Sequence, residues 1–564
     1  MTDGRPAPLP PGSPEGTRYV AARSDGPTAE EIHAAGGRSV LTALLDARAA
    51  FGGKTVAVED GDRRVLTYTG LVRAVAALSR VIRRETKGDV LAIMLPSSVA
   101  AVVTYFAVLA AGKTPAMLNF TAGRANLLAA CRVADVGAVL TADRFLSIAK
   151  LEPVAEALTA AAPVLKLEAF REKVGIADKA FAAVAAPLGL LPKADPDKAA
   201  AIVFTSGSEG DPKGVVLTHR NILANIDQVR HALPLERVET FFNPLPVFHS
   251  YGLGPGMILP LVMGRKLVLH PSPLRTKEVA QRIAETKANV LLATDTFLRQ
   301  YARVGDDGSL SSLHFAVCGA ERVRHETREL VRSRFGFEVV EGYGVTETSP
   351  VLAANHPDDI RDGTVGRLFH GIEALLEPVE GLHDGWRLKV RGPNVMAGYL
   401  ERDGSVIAPP DGWHDTGDVV DFEGDYLVIR GRLKRFAKIG GEMTSLVTVE
   451  NVAGMVWPDS LHAAAAIPAG RKGEAIILLT EERDPDPSLY RQRLRAEGLP
   501  ERFIPDRIIH VDAIPLLGTG KLDAVGATRL AREVVEAAAQ AREGGAAAEL
   551  PSVSADAPKA ASAD

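Results

Sequence analysis

Apolar runs alternate with helical patterns through the middle of the chain. "RKLVLH", "ANVLLAT", "LHFAVCGA" and "FEVVEGYG" read as strands. Between them, "LRTKEVAQRIAETK" and "ERVRHETRELVRSRF" read as helices, and in the second Val323, Leu330, Val331 and Phe335 share one face. This alternation predicts an α/β fold of mostly parallel sheets covered by helices, with ligands at the carboxyl ends of the strands. After residue 360 short β-like runs with many turns take over ("GTVGRLF", "WRLKVRG", "GDYLVIRG"), which predicts a small β-rich subdomain. The texture shifts again after "GRLKR", and from there to about residue 540 the chain reads as a small α+β module. The expected organisation is a large domain over 38–431 and a small lid domain over 432–540. Residues 1–37, rich in Pro, Gly and charge, and the tail 541–564 are expected to be disordered.

One apolar stretch needs separate treatment. Val90 to Gly112 carries no charge and is long enough to span a bilayer. Pro96, Ser97 and Ser98 break it where a spanning helix would be continuous. The better reading is a short buried strand, a turn with cap residues, and a buried helix.

Composition narrows the function classes. A formal net charge of −5 gives no electrostatic footprint for nucleic acid. Two cysteines far apart, Cys131 and Cys318, exclude a disulfide framework and fit a reducing compartment. A cytoplasmic location is expected, with room for peripheral association at the inner face of a membrane.

"TSGSEGDPKG" (205–214) follows the apolar run "AAAIVF" and precedes the helical pattern "THRNILANIDQVRHAL". Gly207, Gly210 and Gly214 can expose consecutive N–H groups as an anion nest. Thr205, Ser206 and Ser208 add hydroxyls, and Lys213 adds a positive charge. The loop is neither a G-x-x-x-x-G-K-[ST] nor a G-x-G-x-x-G motif, so a Walker-type ATPase and a dinucleotide fold are excluded. An ordinary glycine turn is the competing reading. In "EGYGVTE" (341–347), Thr346 beside Glu347 can hold Mg²⁺ against a phosphate. In "GWHDTGD" (412–418), Asp418 is suited to ribose hydroxyls. "RGRLKRFAKIGGE" follows at 430–442, and "PLLGTGKLD" puts Lys521 on a late glycine turn.

These five stretches, in this order, resemble the adenylate-forming superfamily of acyl-CoA synthetases, peptide-synthetase adenylation domains and luciferases, from about residue 38 to 540. The wording of "FTSGSEGDPKGVVLTHRNILAN", "LPVFHSYGL", "EGYGVTETSPV", "GRLKRFAKIGGEM" and "PLLGTGK" is most similar to the acyl–acyl carrier protein synthetase half of the bifunctional acylglycerophosphoethanolamine acyltransferases. None of the thirteen histidines has the aspartate five positions on that the acyltransferase half carries. The resemblance implies ATP-dependent activation of a medium- or long-chain fatty acid as acyl-AMP. Transfer follows to a pantetheine thiol, on holo acyl carrier protein or coenzyme A, with ATP and Mg²⁺ required. It assigns Lys521 to the carboxylate and α-phosphate, Glu347 to Mg²⁺, Thr346 to the α-phosphate and His249 to a gate between the ATP and acyl sites. It assigns Thr205, Ser206, Gly207, Ser208, Gly210 and Lys213 to the phosphates, and Gly319, Ala320, Glu341, Gly342 and Tyr343 to the nucleotide. Asp418 and Arg432 fall to the ribose, Lys434 to the hinge and Lys438 to the thiol step. Glu209 departs from the wider superfamily, which has threonine there, and a carboxylate near a triphosphate weakens binding. The competing readings are a fatty acyl-CoA ligase and a nucleotide- or acyl-adenylate-binding protein without catalysis.

Overall fold

The computed structural model describes residues 9, 12–205, 212–382, 384–439, 442–468, 474–516 and 522–543, without the side chains of 186, 187 and 538–543. Two large sheets carry most of the first 430 residues. In the nine-stranded sheet, Val56–Glu59, Lys266–Leu269, Thr240–Asn243, Val290–Ala293, Phe315–Cys318 and Glu338–Gly344 run parallel side by side. Their central residues are mostly buried and apolar, as expected of strands covered on both faces. The eight-stranded sheet is built the same way around Ala199–Thr205, Thr114–Met117, Val90–Ile93 and Ala138–Thr141.

The uncharged stretch from Val90 resolves into strand Val90–Ile93, a turn, and helix Val99–Ala110, whose Ser98 side chain caps the Ala101 N–H. Ten of that helix's twelve residues are buried in protein. Among the described residues no helix is long and apolar enough to cross a membrane.

A five-stranded antiparallel sheet follows, ordered Arg18–Val20, Glu373–Glu377, Trp386–Arg391, His414–Glu423 and Tyr426–Arg432. Its first strand corrects the expectation of a disordered arm over 1–37. Arg18, Tyr19 and Val20 pair with Leu376, Leu375 and Ala374, and helix Ala29–Ala35 has a Thr28–Glu31 capping box. Apart from Tyr19, which hydrogen-bonds Glu373, the arm gave little apolar signal, because it adds itself to a sheet edge through backbone bonds.

Buried apolar side chains fall into separate clusters on either side of residue 430. Two lie between Val40 and Leu427 and two between Ala437 and Val534. The latter pair packs around the strands His462–Pro468, Glu474–Thr480 and Arg507–His510.

Candidate active site

The glycine-rich loop sits on a different scaffold from the one its flanks imply. "KGVVLT" forms strand Lys213–Thr218, which pairs antiparallel with Ala199–Thr205, and helix His219–Ala232 begins only after it. The stretch is therefore flanked by two antiparallel strands and not by a strand and a helix. The β-branched pair in "GVVL" makes the extra strand, because it fills a buried pleat better than a helix start. Thr205 and Lys213 are partners at the base of the hairpin. Ser206, Gly207, Ser208, Glu209 and Gly210 lie outside the described residues, as does Lys521.

The other motifs converge. Strand Glu338–Gly344 ends at a tight turn where a Cβ on Gly344 would lie 1.9 Å from the Pro350 carbonyl oxygen, so only glycine fits. The turn delivers Thr346 and Glu347. Thr346 Oγ1 lies 3.1 Å from Ser250 Oγ, tying the motif to the short helix Ser250–Leu253 that begins after His249. The Glu347 backbone carbonyl accepts from Met396 N–H, and its carboxylate accepts from the Tyr399 hydroxyl at 2.7 Å. Lys213 Nζ lies 4.9 Å from the centroid of the Tyr399 ring, so one tyrosine joins the phosphate hairpin to the carboxylate.

Asp418 is almost fully buried. It accepts from the Tyr343 hydroxyl at 2.6 Å, and Arg432 Nε stands 3.3 Å away. Burial raises the Asp418 carboxyl above its usual range, against the pull of Arg432 and the Tyr343 hydroxyl. Burial also holds the Tyr343 phenol protonated, well above its usual value, so it donates.

A single cavity of about 180 Å³ runs through this region. Gly319, Ala320, Gly342, Tyr343, Thr346 and Arg432 line one end, and His249 lies along its wall. The other end is apolar, with Val229, Leu233, Leu235, Phe241, Leu259 and Leu292. Ala320 holds φ at +72°, a strained value for a residue with a Cβ, of the kind stored at ligand sites. Glu347 and Asp418 adjoin the cavity through Thr346 and Tyr343.

Three expected residues stand elsewhere. Glu341, expected at the nucleotide, is not among the residues that line the cavity and pairs with Arg328. Its carboxylate is taken up by the Val323 N–H and the Arg328 guanidinium. Lys434 and Lys438 are exposed and do not line the cavity. Conversely, Tyr399, Ser250 and the apolar end were not read from the sequence. Tyr399 sits in "AGYLERDG", where nothing marks an aromatic as polar machinery.

The donor set suits a hard cation. Glu347 and Thr346 offer carboxylate and hydroxyl oxygens, leaving most of a Mg²⁺ shell to phosphate oxygens and water. Among the described residues no group of three or more His, Cys, Asp or Glu side chains could hold a metal alone. A cation here needs the nucleotide to complete its shell.

Sheets, cleft and motif order together place the molecule among adenylate-forming enzymes. The chain belongs to the AMP-binding enzyme family, whose model matches residues 45–400. It is 30% identical over 482 residues to a feruloyl-CoA synthase of Amycolatopsis sp, spanning 81% of this chain and 92% of that one. It is 30% identical over 296 residues to a long-chain-fatty-acid–CoA ligase of Salmonella typhimurium, an alignment that spans 50% of this chain and 52% of its relative. The O-succinylbenzoate Coenzyme A Synthetase (MenE) of Bacillus subtilis, solved with ATP and magnesium ion, shares the fold. Its TM-score is 0.74 at 21% identity, covering 87% of this chain and 99% of that one.

Proposed function

We propose that the protein activates a medium- or long-chain fatty acid with ATP, forming acyl-AMP and pyrophosphate, and passes the acyl group to a pantetheine thiol. The observation that carries this reading is the continuous cavity. A carboxylate held near His249 and Thr346 would have its chain in the apolar end and the nucleotide phosphates at the other. Burying each methylene there contributes roughly 0.8 kcal/mol, so a long chain supplies the binding energy that positions its carboxylate.

The carboxylate is already ionised near neutral pH, so no general base is needed to make the nucleophile. The residues have to bind, orient and stabilise. Tyr343, Asp418 and Arg432 fix the nucleoside, and Thr346 faces the phosphate that is attacked. Glu347, held by Tyr399, would hold Mg²⁺, which when bound offsets charge on the phosphate oxygens. Lys213 and the glycine loop would hold the outgoing pyrophosphate. Lys521 would reach both reacting groups from the C-terminal part. That part would rotate about Lys434 before the thiol step, bringing Lys438 inward.

The motif wording supports holo acyl carrier protein as the acceptor. The names of the matched relatives, which are coenzyme A ligases, support coenzyme A as the second reading. A pyrophosphate-release assay across straight-chain and aromatic acids, with each acceptor offered separately, tests both. Release that rises with chain length supports the reading. Release only with aromatic acids overturns the fatty substrate. Coenzyme A favoured tenfold or more in kcat/KM, about 1.4 kcal/mol, overturns the carrier-protein acceptor.

A further inference from the structure

The loop that lines the base end of the cleft is held from behind. Residues 319–324 leave strand Phe315–Cys318 and turn sharply through Ala320 at φ +72°. Glu321 accepts from the Thr296 N–H at 3.1 Å and from its hydroxyl at 2.9 Å. Asp295 accepts from the Arg324 N–H at 3.1 Å and from its Nε at 2.6 Å. Between these two ties, Val323 N–H donates to Glu341 Oε1 at 3.1 Å. The other oxygen of Glu341 takes Arg328 at 2.8 Å, and Arg328 also donates to the Val339 carbonyl at 2.6 Å. Both side chains are about 95% buried.

A buried ion pair of this kind is seldom retained for stability. Apolar residues of the same volume serve a core as well or better, and the best-attested use of such a pair is to fix one arrangement. Here the arrangement is the strained turn. Ala320 would relax from its left-handed conformation unless the residues after it were pinned. Glu341 reaches the middle of that segment, at the Val323 N–H. Burial raises its carboxyl to about 7 even against the pull of Arg328 and the Val323 N–H, so both partners are needed to hold it in place there.

We propose that Glu341, with Arg328, is a positioning residue for nucleotide recognition: it holds the Gly319–Ala320 turn in the shape that receives the base, without touching the nucleotide. The proposal rests on the reading of this cleft as the nucleotide site. It separates the adjacent residues of one strand into two roles, Gly342 and Tyr343 facing the ligand and Glu341 shaping the turn beside it.

The test is AMP binding by calorimetry, with neither acid nor thiol present, on Glu341→Gln, Arg328→Met, and the double variant Glu341→Leu/Arg328→Met. The double variant removes both charges and so avoids the stranded buried ion that a single truncation leaves. Thermal melts and circular dichroism check this. Glu341→Gln keeps an acceptor for Val323 and should hold AMP affinity within about threefold. The double variant should lose roughly tenfold, the scale of one charge-assisted hydrogen bond, with KM for the acid unchanged. Adding Ala320→Gly should recover part of the loss, since glycine takes the left-handed turn unaided. A folded double variant with wild-type affinity overturns the proposal. So does Glu341→Gln losing as much as the double variant while Arg328→Met binds normally, because the carboxylate would then read the nucleotide itself. Wild-type protein that does not bind AMP overturns the nucleotide site, an outcome distinct from either.

Discussion

His219 opens the helix that follows the phosphate hairpin. Its ring accepts the Val40 N–H at Nδ1 and is 2% exposed. Burial depresses its pKa from 6.5 to about 4, so the folded protein keeps it neutral. The sign follows directly. The unfolded chain takes up a proton as pH falls through 6.5, and the folded chain does not until about 4. The stabilisation is whole above 6.5 and is lost as pH falls toward 4, by at most about 3 kcal/mol. Denaturant midpoints between those values should fall in the wild type and flatten in His219→Gln, whose amide still accepts the Val40 N–H. A wild-type midpoint that stays level over the interval contradicts the shift. Tyr399 makes a second argument at this scale. Tyr399→Phe keeps the ring against Lys213 and loses only the bond to Glu347. The Mg²⁺ concentration needed for half-maximal ATP binding should rise, about tenfold as for other residues that orient a metal ligand. The acid KM should not change. An unchanged Mg²⁺ requirement means Glu347 needs no help from the tyrosine.

The apolar end of the cleft depends on one irregular element. The short helices Ser250–Leu253 and Leu259–Val262 are joined by a π-helical turn over Gly254–Ile258, a widening often found at functional sites. A Cβ on Gly256 would lie 2.4 Å from Asn243 Nδ2. Asn243 is itself fully buried, donating to the Gly252 carbonyl and accepting from Leu245 N–H, so it fixes the segment that carries His249. Gly256→Ala should therefore destabilise the protein by about 1–3 kcal/mol and raise the acid KM more than the ATP KM. Equilibrium denaturation and paired Michaelis constants check both halves, and wild-type values in both would show that Asn243 shifts freely. Sequence periodicity could not reveal this element, since "GLGPGMILPLV" is apolar on all faces. The regular parts were largely legible: the strands ending at Ala293, Cys318 and Gly344 and the helices Thr276–Thr286 and His325–Phe335 stand where the alternation put them, although the latter starts late enough to leave Val323 in the preceding loop, and helix Asp295–Val304 was not read. The hairpin strand Lys213–Thr218 was not, because the short apolar run "VVL" before a strong helix cap reads as the helix's own lead-in. Within the site, Gly319, Ala320, Gly342, Tyr343 and Thr346 line the cavity, and all lie in stretches that the sequence marks by their glycines or motif wording. Glu341 and Tyr399 were misread or missed because their roles come from contacts with Arg328 and Glu347, far from them in sequence.

At the scale of the whole molecule, the buried cores fall into separately packed parts on either side of residue 430, and the proposed chemistry draws on both. Tyr343, Thr346, Glu347 and Asp418 precede that boundary, whereas Lys521, outside the described residues, follows it in sequence. The link is strand Tyr426–Arg432 running into the turn Leu433–Arg435, with Lys434 exposed and Arg432 still bound to Asp418. If acyl-AMP formation needs Lys521 at the cleft and thiol attack needs it gone, the two half-reactions must respond oppositely to changes at these positions. Lys521→Ala should lose adenylate formation by roughly two or more powers of ten, the scale of one preorganised charge contact. It should still convert supplied acyl-adenylate and thiol to thioester at near the normal rate. Lys434→Pro should do the reverse. Fixing φ at the turn restricts rotation, so adenylate forms and accumulates. Single-turnover kinetics of each half-reaction on each variant make the measurement. Equal loss of both half-reactions in Lys521→Ala would mean a single fixed active site. The separation of cores at residue 430 would then be a matter of folding and not of mechanism.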